Sequence, residues 1–120
     1  MNKFNRVCIV GKYKSPEVSR PVSQVINFLQ GEGVHCLVDE LTAEQLSGVK
    51  VDSGPMDDVV SRSDLVVVLG GDGTLLGLAR TVATHNVPLL GINLGRLGFL
   101  ADISLNKMVA SLRAVLQGEY

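Results

Sequence analysis

One carboxylate set among glycines, in Gly70-Gly71-Asp72-Gly73-Thr74, directly follows the apolar run Leu65-Val66-Val67-Val68-Leu69. Glycines let the backbone bend with φ > 0 and come close to a ligand with no Cβ in the way. A short, unbroken β-branched run reads as a fully buried strand of a parallel sheet, and such sheets carry their ligands just beyond the carboxyl ends of their strands. The pattern therefore reads as a phosphate-handling loop with an acid or base built in. A plain strand-to-helix turn also uses glycines. It has no need of Asp72, whose charge must be solvated, hydrogen-bonded or paired.

Backbone N–H groups around Gly71–Thr74 would open the following helix, whose dipole adds its positive end to an anion site. Phosphoryl transfer needs an acceptor for the proton of the attacking hydroxyl, or a carboxylate for a metal, and Asp72 suits either role. The phosphate charge also calls for Mg²⁺ or basic side chains. Arg96, Lys12 and Lys14 are the candidates, although a basic residue taken singly is more often a solvated surface charge. Asn93 suits a sugar hydroxyl or the cap of a turn. Phe99 offers a flat apolar face to a base, or a plug beneath its own loop. The loop is not of the Walker type, because no Gly-Lys-Ser/Thr follows a four-residue gap. Nor is it a Gly-X-Gly-X-X-Gly dinucleotide fingerprint, since Gly71-Asp72-Gly73-Thr74-Leu75-Leu76 ends in Leu and follows the third strand-like run, not the first.

Four strand-like runs alternating with helical patterns must position these residues. Arg6–Val10 is the first run, ending at Gly11. Val18, Val22, Val25, Ile26 and Leu29 recur at helical spacing, with Gly31 and Gly33 as the stop. That helix begins either at Ser15-Pro16 or at Pro21. Val34–Val38 is the second run. Residues 39–57 are weakly determined, with a helix near Thr42–Leu46; Met56–Ser63 forms a short helix leading to the third run, Leu65–Leu69. Leu75, Leu78, Ala79, Val82 and Ala83 line one helical face. Val87–Ile92 is the fourth run, with Pro88 near its start where a missing N–H is tolerated. A second glycine-punctuated loop, Asn93–Gly98, follows. Leu105, Met108, Val109, Leu112, Val115 and Leu116 mark a closing helix with Ser104 as N-cap.

This alternation predicts an α/β fold, an open parallel Rossmann-like sheet with helices on both faces. Right-handed crossovers then bring the turns Gly11–Ser15, Gly70–Thr74 and Asn93–Gly98 to one edge of the sheet.

Composition bounds the function. One domain fits 120 residues, and 46% hydrophobic with 19% charged residues is the balance of a soluble globular chain. A net charge of −1, with Lys and Arg scattered, argues against a nucleic-acid or membrane partner. Met1–Arg6 lacks an apolar signal stretch, and no run reaches the length of a membrane span, so a cytoplasmic location is expected. Cys8 and Cys36 lack metal-ligand spacing and read as free buried thiols in a reducing compartment. His35 and His85 stand apart from each other and read as surface or strand-edge residues; no metal site is expected.

At these residues the chain resembles the amino-terminal domain of bacterial NAD kinases. Gly70-Gly71-Asp72-Gly73-Thr74-Leu75-Leu76 resembles that family's Gly-Gly-Asp-Gly-Thr motif, and Gly91-Ile92-Asn93-Leu94-Gly95-Arg96-Leu97-Gly98-Phe99-Leu100 its second signature. The resemblance covers essentially the whole chain. It implies transfer of the γ-phosphate of ATP, with Mg²⁺, to the 2′-hydroxyl of the adenosine ribose of NAD, giving NADP. It also implies that Asp72 is the proton acceptor, that Asp72 and Gly73 contact NAD, and that Leu76 and Phe99 lie against the adenine side. The nucleotide site would then comprise Gly70, Gly71, Asp72, Gly73, Thr74, Leu76, Asn93, Arg96 and Phe99.

Two departures stand out. Gly77 occupies a position where some members carry a basic residue, a role open to Arg80 one turn later. Nothing matches the family's second, mainly β domain with its Asn-Glu motif, so the 120 residues read as a truncated amino-terminal domain. Alone it is expected to fold yet be inactive or nearly so, which measurable turnover by residues 1–120 would refute. The resemblance also implies a homo-oligomer for the full-length protein, as is usual in the family, and the missing domain is expected to supply much of that interface.

Two alternatives remain at this point. Diacylglycerol and sphingosine kinase-like enzymes share the Gly-Gly-Asp-Gly-Thr core, but an Asn-Glu pair follows it there and Leu75-Leu76 here. A non-catalytic nucleotide-binding module is the third reading, separated from the kinase by what the gene encodes after Tyr120.

Overall fold

The computed structural model describes residues 4–11, 16–46, 51–70, 72–93 and 113–114. They form β1 (Arg6–Gly11), α1 (Pro16–Gly31), β2 (His35–Asp39), α2 (Glu40–Glu44), β3 (Asp52–Gly54), α3 (Met56–Ser61), β4 (Leu65–Gly70), α4 (Asp72–Thr84) and β5 (Leu89–Asn93). All the strand pairs are parallel, in the order β3-β2-β1-β4-β5.

The central strands β1 and β4 are apolar from Val7 to Gly11 and from Leu65 to Gly70 because both faces of the sheet are covered there. On one face Val7, Ile9, Val38, Val67 and Leu69 pack with Val22, Val25, Ile26 and Leu29 of α1, and Ala43 and Leu46 next to or within α2 lie against that cluster. On the other, Cys8, Val10, Leu37, Val66 and Val68 pack with Val59 and Val60 of α3 and Leu78 and Val82 of α4. The chain thus steps outward from β1 to β3 beneath one helical layer and returns to β4 and β5 beneath the other.

Helix ends follow local chemistry. Pro16 opens α1, where its missing N–H is no loss, and the helix runs on through Pro21, which forgoes one internal hydrogen bond. Gly33, at φ +80°, ends the turn after α1 while the Val34 N–H reaches back to the Leu29 carbonyl at 3.0 Å. Asn86, at φ 55°, does the same after α4, with Val87 N–H donating to the Val82 carbonyl.

Four expectations need correction. A fifth strand, β3, lies in the segment expected to be irregular; it pairs Asp52, Ser53 and Gly54 with Leu37, Val38 and Asp39. The α2 helix starts at Glu40, not Thr42, because the Asp39 carboxylate caps it by accepting from the Thr42 N–H at 3.3 Å. The α3 helix stops at Ser61 and β5 begins at Leu89, each two residues inside the predicted bounds. Of the closing helix, only Arg113 and Ala114 are described. Both are helical, and the Arg113 guanidinium lies 5.4 Å from the centroid of the Phe28 ring on α1. Ser104 lies outside the described residues.

Cys8 and Cys36 are both free and buried. Burial pushes each thiol from its ordinary 9.0 up to about 12. Neither should react with a disulfide reagent at pH 8 until the fold opens, which a thiol titration with and without urea would show. A folded-state value above the unfolded one stabilises fully below the unfolded value. Stability should therefore fall as pH rises from about 9 toward 12. Prompt labelling of both thiols in the native protein would contradict this.

Candidate functional site

Strand order and register decide what meets at the carboxyl edge of the sheet. Gly11 pairs with Leu69, and Gly70, the last residue of β4, pairs with Asn93, the last residue of β5. The ends of β1, β4 and β5 are therefore contiguous. The strand order reverses between β1 and β4: α1 leaves β1 for one face, and α4 leaves β4 for the other. In open α/β sheets this switch point is where a crevice forms and ligands bind.

The glycine motif straddles that point more tightly than the sequence suggested. Gly70 is still strand, and Asp72 is already the first residue of α4. Asp72, Gly73 and Thr74 thus form the opening turn, whose N–H groups have no partner within the helix, and Leu76 follows on the second turn. Amides that the helix itself does not use, with the positive end of a 13-residue helix at a switch point, suit a phosphate or another anion. Gly71, Arg96, Phe99, Lys12 and Lys14 lie outside the described residues. Among the sequence-derived candidates, the fold therefore brings together the backbones of Gly70, Asp72, Gly73, Thr74 and Asn93. Arg80, on α4, is exposed.

A polar cluster that the sequence did not reveal borders this edge. Asp39 and Thr42 are 5% and 1% exposed. The Thr42 hydroxyl is hydrogen-bonded to Asp39 Oδ1 and accepts from the Gly11 N–H at 3.1 Å. The end of β2 is where a dinucleotide fold keeps its ribose-binding carboxylate. Here each oxygen of that carboxylate accepts a hydrogen bond from Thr42, so Asp39 ties the start of α2 to this edge of the sheet. An Asp three residues before Thr is the only local signal; the partner Gly11 is 31 residues away.

Other charged groups pair elsewhere. Arg62, the C-cap of α3, bonds Asp52 at 2.8 Å and Asp58 at 3.1 Å. His35 meets Asp52 at 3.3 Å, and Arg62 and His35 together hold the Asp52 carboxyl below its ordinary range. His85 meets Asp57 at 2.8 Å. Each histidine therefore has a carboxylate partner, which the sequence reading had not assigned. Among the described residues, no group of three or more His, Cys, Asp or Glu could hold a metal ion, and no helix is long and apolar enough to cross a membrane.

Residues 7–120 match the family described as the ATP-NAD kinase N-terminal domain. The chain is 43% identical over 119 residues to the NAD kinase of Nitrosospira multiformis, covering 99% of this chain and 40% of that protein. To the NAD kinase of Hahella chejuensis it is 42% identical over 120 residues, covering 100% and 40%. The fold matches a crystal structure of yeast NADH kinase complexed with NADH, with a TM-score of 0.71 and 27% identity, covering 99% of this chain and 40% of that one. The chain thus spans about 40% of the length of these relatives.

Proposed function

The chain belongs to the ATP-NAD kinase family, and from that premise we propose that it supplies the phosphate-handling edge and the proton acceptor of a NAD kinase. The reaction joins the 2′-oxygen of the adenosine ribose of NAD to the γ-phosphorus of ATP and breaks the bond from that phosphorus to the β–γ bridging oxygen. The 2′-proton passes to a base, ADP leaves and NADP is the product. The observation that carries the reading is the position of Asp72, first residue of α4, one step beyond the β1/β4 switch point. Asp72 belongs to the same opening turn as the amides suited to a phosphate, so one short segment carries both acceptor and anion site.

In this reading Asp72 takes the 2′-proton, and Gly70, Gly71, Gly73 and Thr74 let the backbone approach the dinucleotide. Asn93, beside Gly70 in register, serves a sugar hydroxyl; Leu76 and Phe99 lie on the adenine side, and Arg96 offsets phosphate charge. Mg²⁺ fits this donor set, because it keeps several waters and takes one or two carboxylates together with substrate phosphates. It would arrive with the ATP phosphates and neutralise charge on the transferred phosphoryl group, which leaves Asp72 to take the proton. The complete activity is proposed for the protein as naturally encoded, since this chain spans 40% of the length of its relatives. The yeast structure supports the choice of dinucleotide, since a protein of this fold is seen there with NADH.

The test offers γ-labelled ATP and Mg²⁺ to the naturally encoded protein with NAD, diacylglycerol or sphingosine as acceptor. Label in NADP is the expected result; label in either lipid would move the protein to the lipid-kinase class.

A further inference from the structure

The β1 strand outruns β2. Its register with β2 ends at Ile9 opposite Val38, whereas its register with β4 continues to Gly11 opposite Leu69. The chain turns into α2 at Glu40, so the N–H of buried Gly11 gets no partner from the β2 ladder. An unpaired N–H there would carry the full cost of its desolvation. The Thr42 hydroxyl takes the place of that missing ladder carbonyl, at 3.1 Å. It has one proton to give. The Gly11 carbonyl lies at the limit of bonding, 3.5 Å, while Asp39 Oδ1 is much closer. The proton therefore goes to Asp39, which turns the Thr42 lone pair toward Gly11.

We propose that Thr42, oriented by Asp39, is a positioning residue of the candidate site: it pins the end of β1, and through the Gly11–Leu69 pair it holds the main chain that leads through Gly70 to Asp72. A hydroxyl is required, and Ser and Thr both carry one, whereas Val keeps the shape and loses the acceptor. In kinetic terms the inference rests on the NAD kinase reading; in structural terms it does not.

The experiment compares Thr42→Val and Thr42→Ser in the naturally encoded protein, with Thr42→Ala alongside should the valine variant fail to fold. Amide hydrogen exchange is followed at Gly11, at residues 70–74 and at Val66–Val68. In Thr42→Val, exchange at 70–74 should quicken about tenfold while Val66–Val68 keep wild-type protection. On folded enzyme, kcat for NADP formation should fall about tenfold, with KM for NAD within about twofold. Thr42→Ser should restore both. A purely structural role would lower the melting temperature and leave kcat per folded molecule unchanged. Faster exchange confined to Gly11, or a wild-type kcat in folded Thr42→Val, would overturn the proposal. Should the wild-type protein make no NADP, the kinase reading fails, and the exchange at 70–74 alone decides this one.

Discussion

Asp72→Asn in the naturally encoded protein should leave NADP formation about 10²- to 10⁴-fold below wild type, the range in which a positioned general base contributes. The amide has nearly the shape of the carboxylate but cannot take up the 2′-proton at neutral pH. The expected signature is therefore a fall in kcat with little change in KM for NAD. The backbone position of Asp72, at the start of α4, tolerates Asn as well as Asp, so the fold should stand. Circular dichroism and melting temperature check that the lost activity is not lost structure. Recovery of turnover at raised Mg²⁺ would assign Asp72 to the metal instead of the proton, and an unchanged kcat would remove it from the chemistry.

The second large effect is on stability. Leu29 is fully buried and packs, with Val25 and Ile26 of α1, onto Val7, Ile9 and Val67 of the sheet. Truncation to Ala removes apolar atoms and leaves a cavity that strands paired on both sides cannot readily close. A loss of about 2–5 kcal/mol is expected, a large part of the ~5–15 kcal/mol that holds a typical domain folded. Leu41 is the internal control: 49% exposed on α2, it should cost within about 0.5 kcal/mol when cut to Ala. Urea unfolding of both variants in residues 1–120 measures the pair. Equal losses at the two positions would mean that the α1 layer is not the core described above.

The legible parts of this fold are those in which local pattern and tertiary demand agree. The strands β1, β2, β4 and β5 are short apolar runs, most fully β-branched in the central β1 and β4 whose faces are covered on both sides, so hydrophobicity alone marks them. The β3 strand, Asp52-Ser53-Gly54, is three residues long at the sheet edge and owes its state to pairing with Leu37–Asp39, which leaves no apolar signature. The start of α2 was open to a reading from its cap, since Asp39 stands where a capping carboxylate belongs. The link from Thr42 to Gly11 was not, because only the strand order brings the two within reach.

The candidate site divides in the same way. The meeting of the β1, β4 and β5 ends follows from alternation and handedness, and the register of Gly70 with Asn93 agrees with it. The opening of a helix around Gly71–Thr74 was legible from the placement of the glycines, and α4 begins there, at Asp72; the residue at which it starts was not, because a glycine-rich stretch has no helical period. Arg96 and Phe99 lie outside the described residues, and their roles rest on the sequence: a charge and a flat ring in the second glycine-punctuated loop, with the resemblance adding an adenine-side place for Phe99.

The measurement that bears most directly on the central claim is a crystal structure of the naturally encoded protein with NAD bound. The account predicts the 2′-oxygen of the adenosine ribose within hydrogen-bond reach of the Asp72 carboxylate, about 2.6–3.2 Å or one water away. The dinucleotide should lie along the edge formed by Gly70 and Asn93. NAD bound at that edge with a different hydroxyl toward Asp72, or bound away from the β1/β4 switch point altogether, would contradict it.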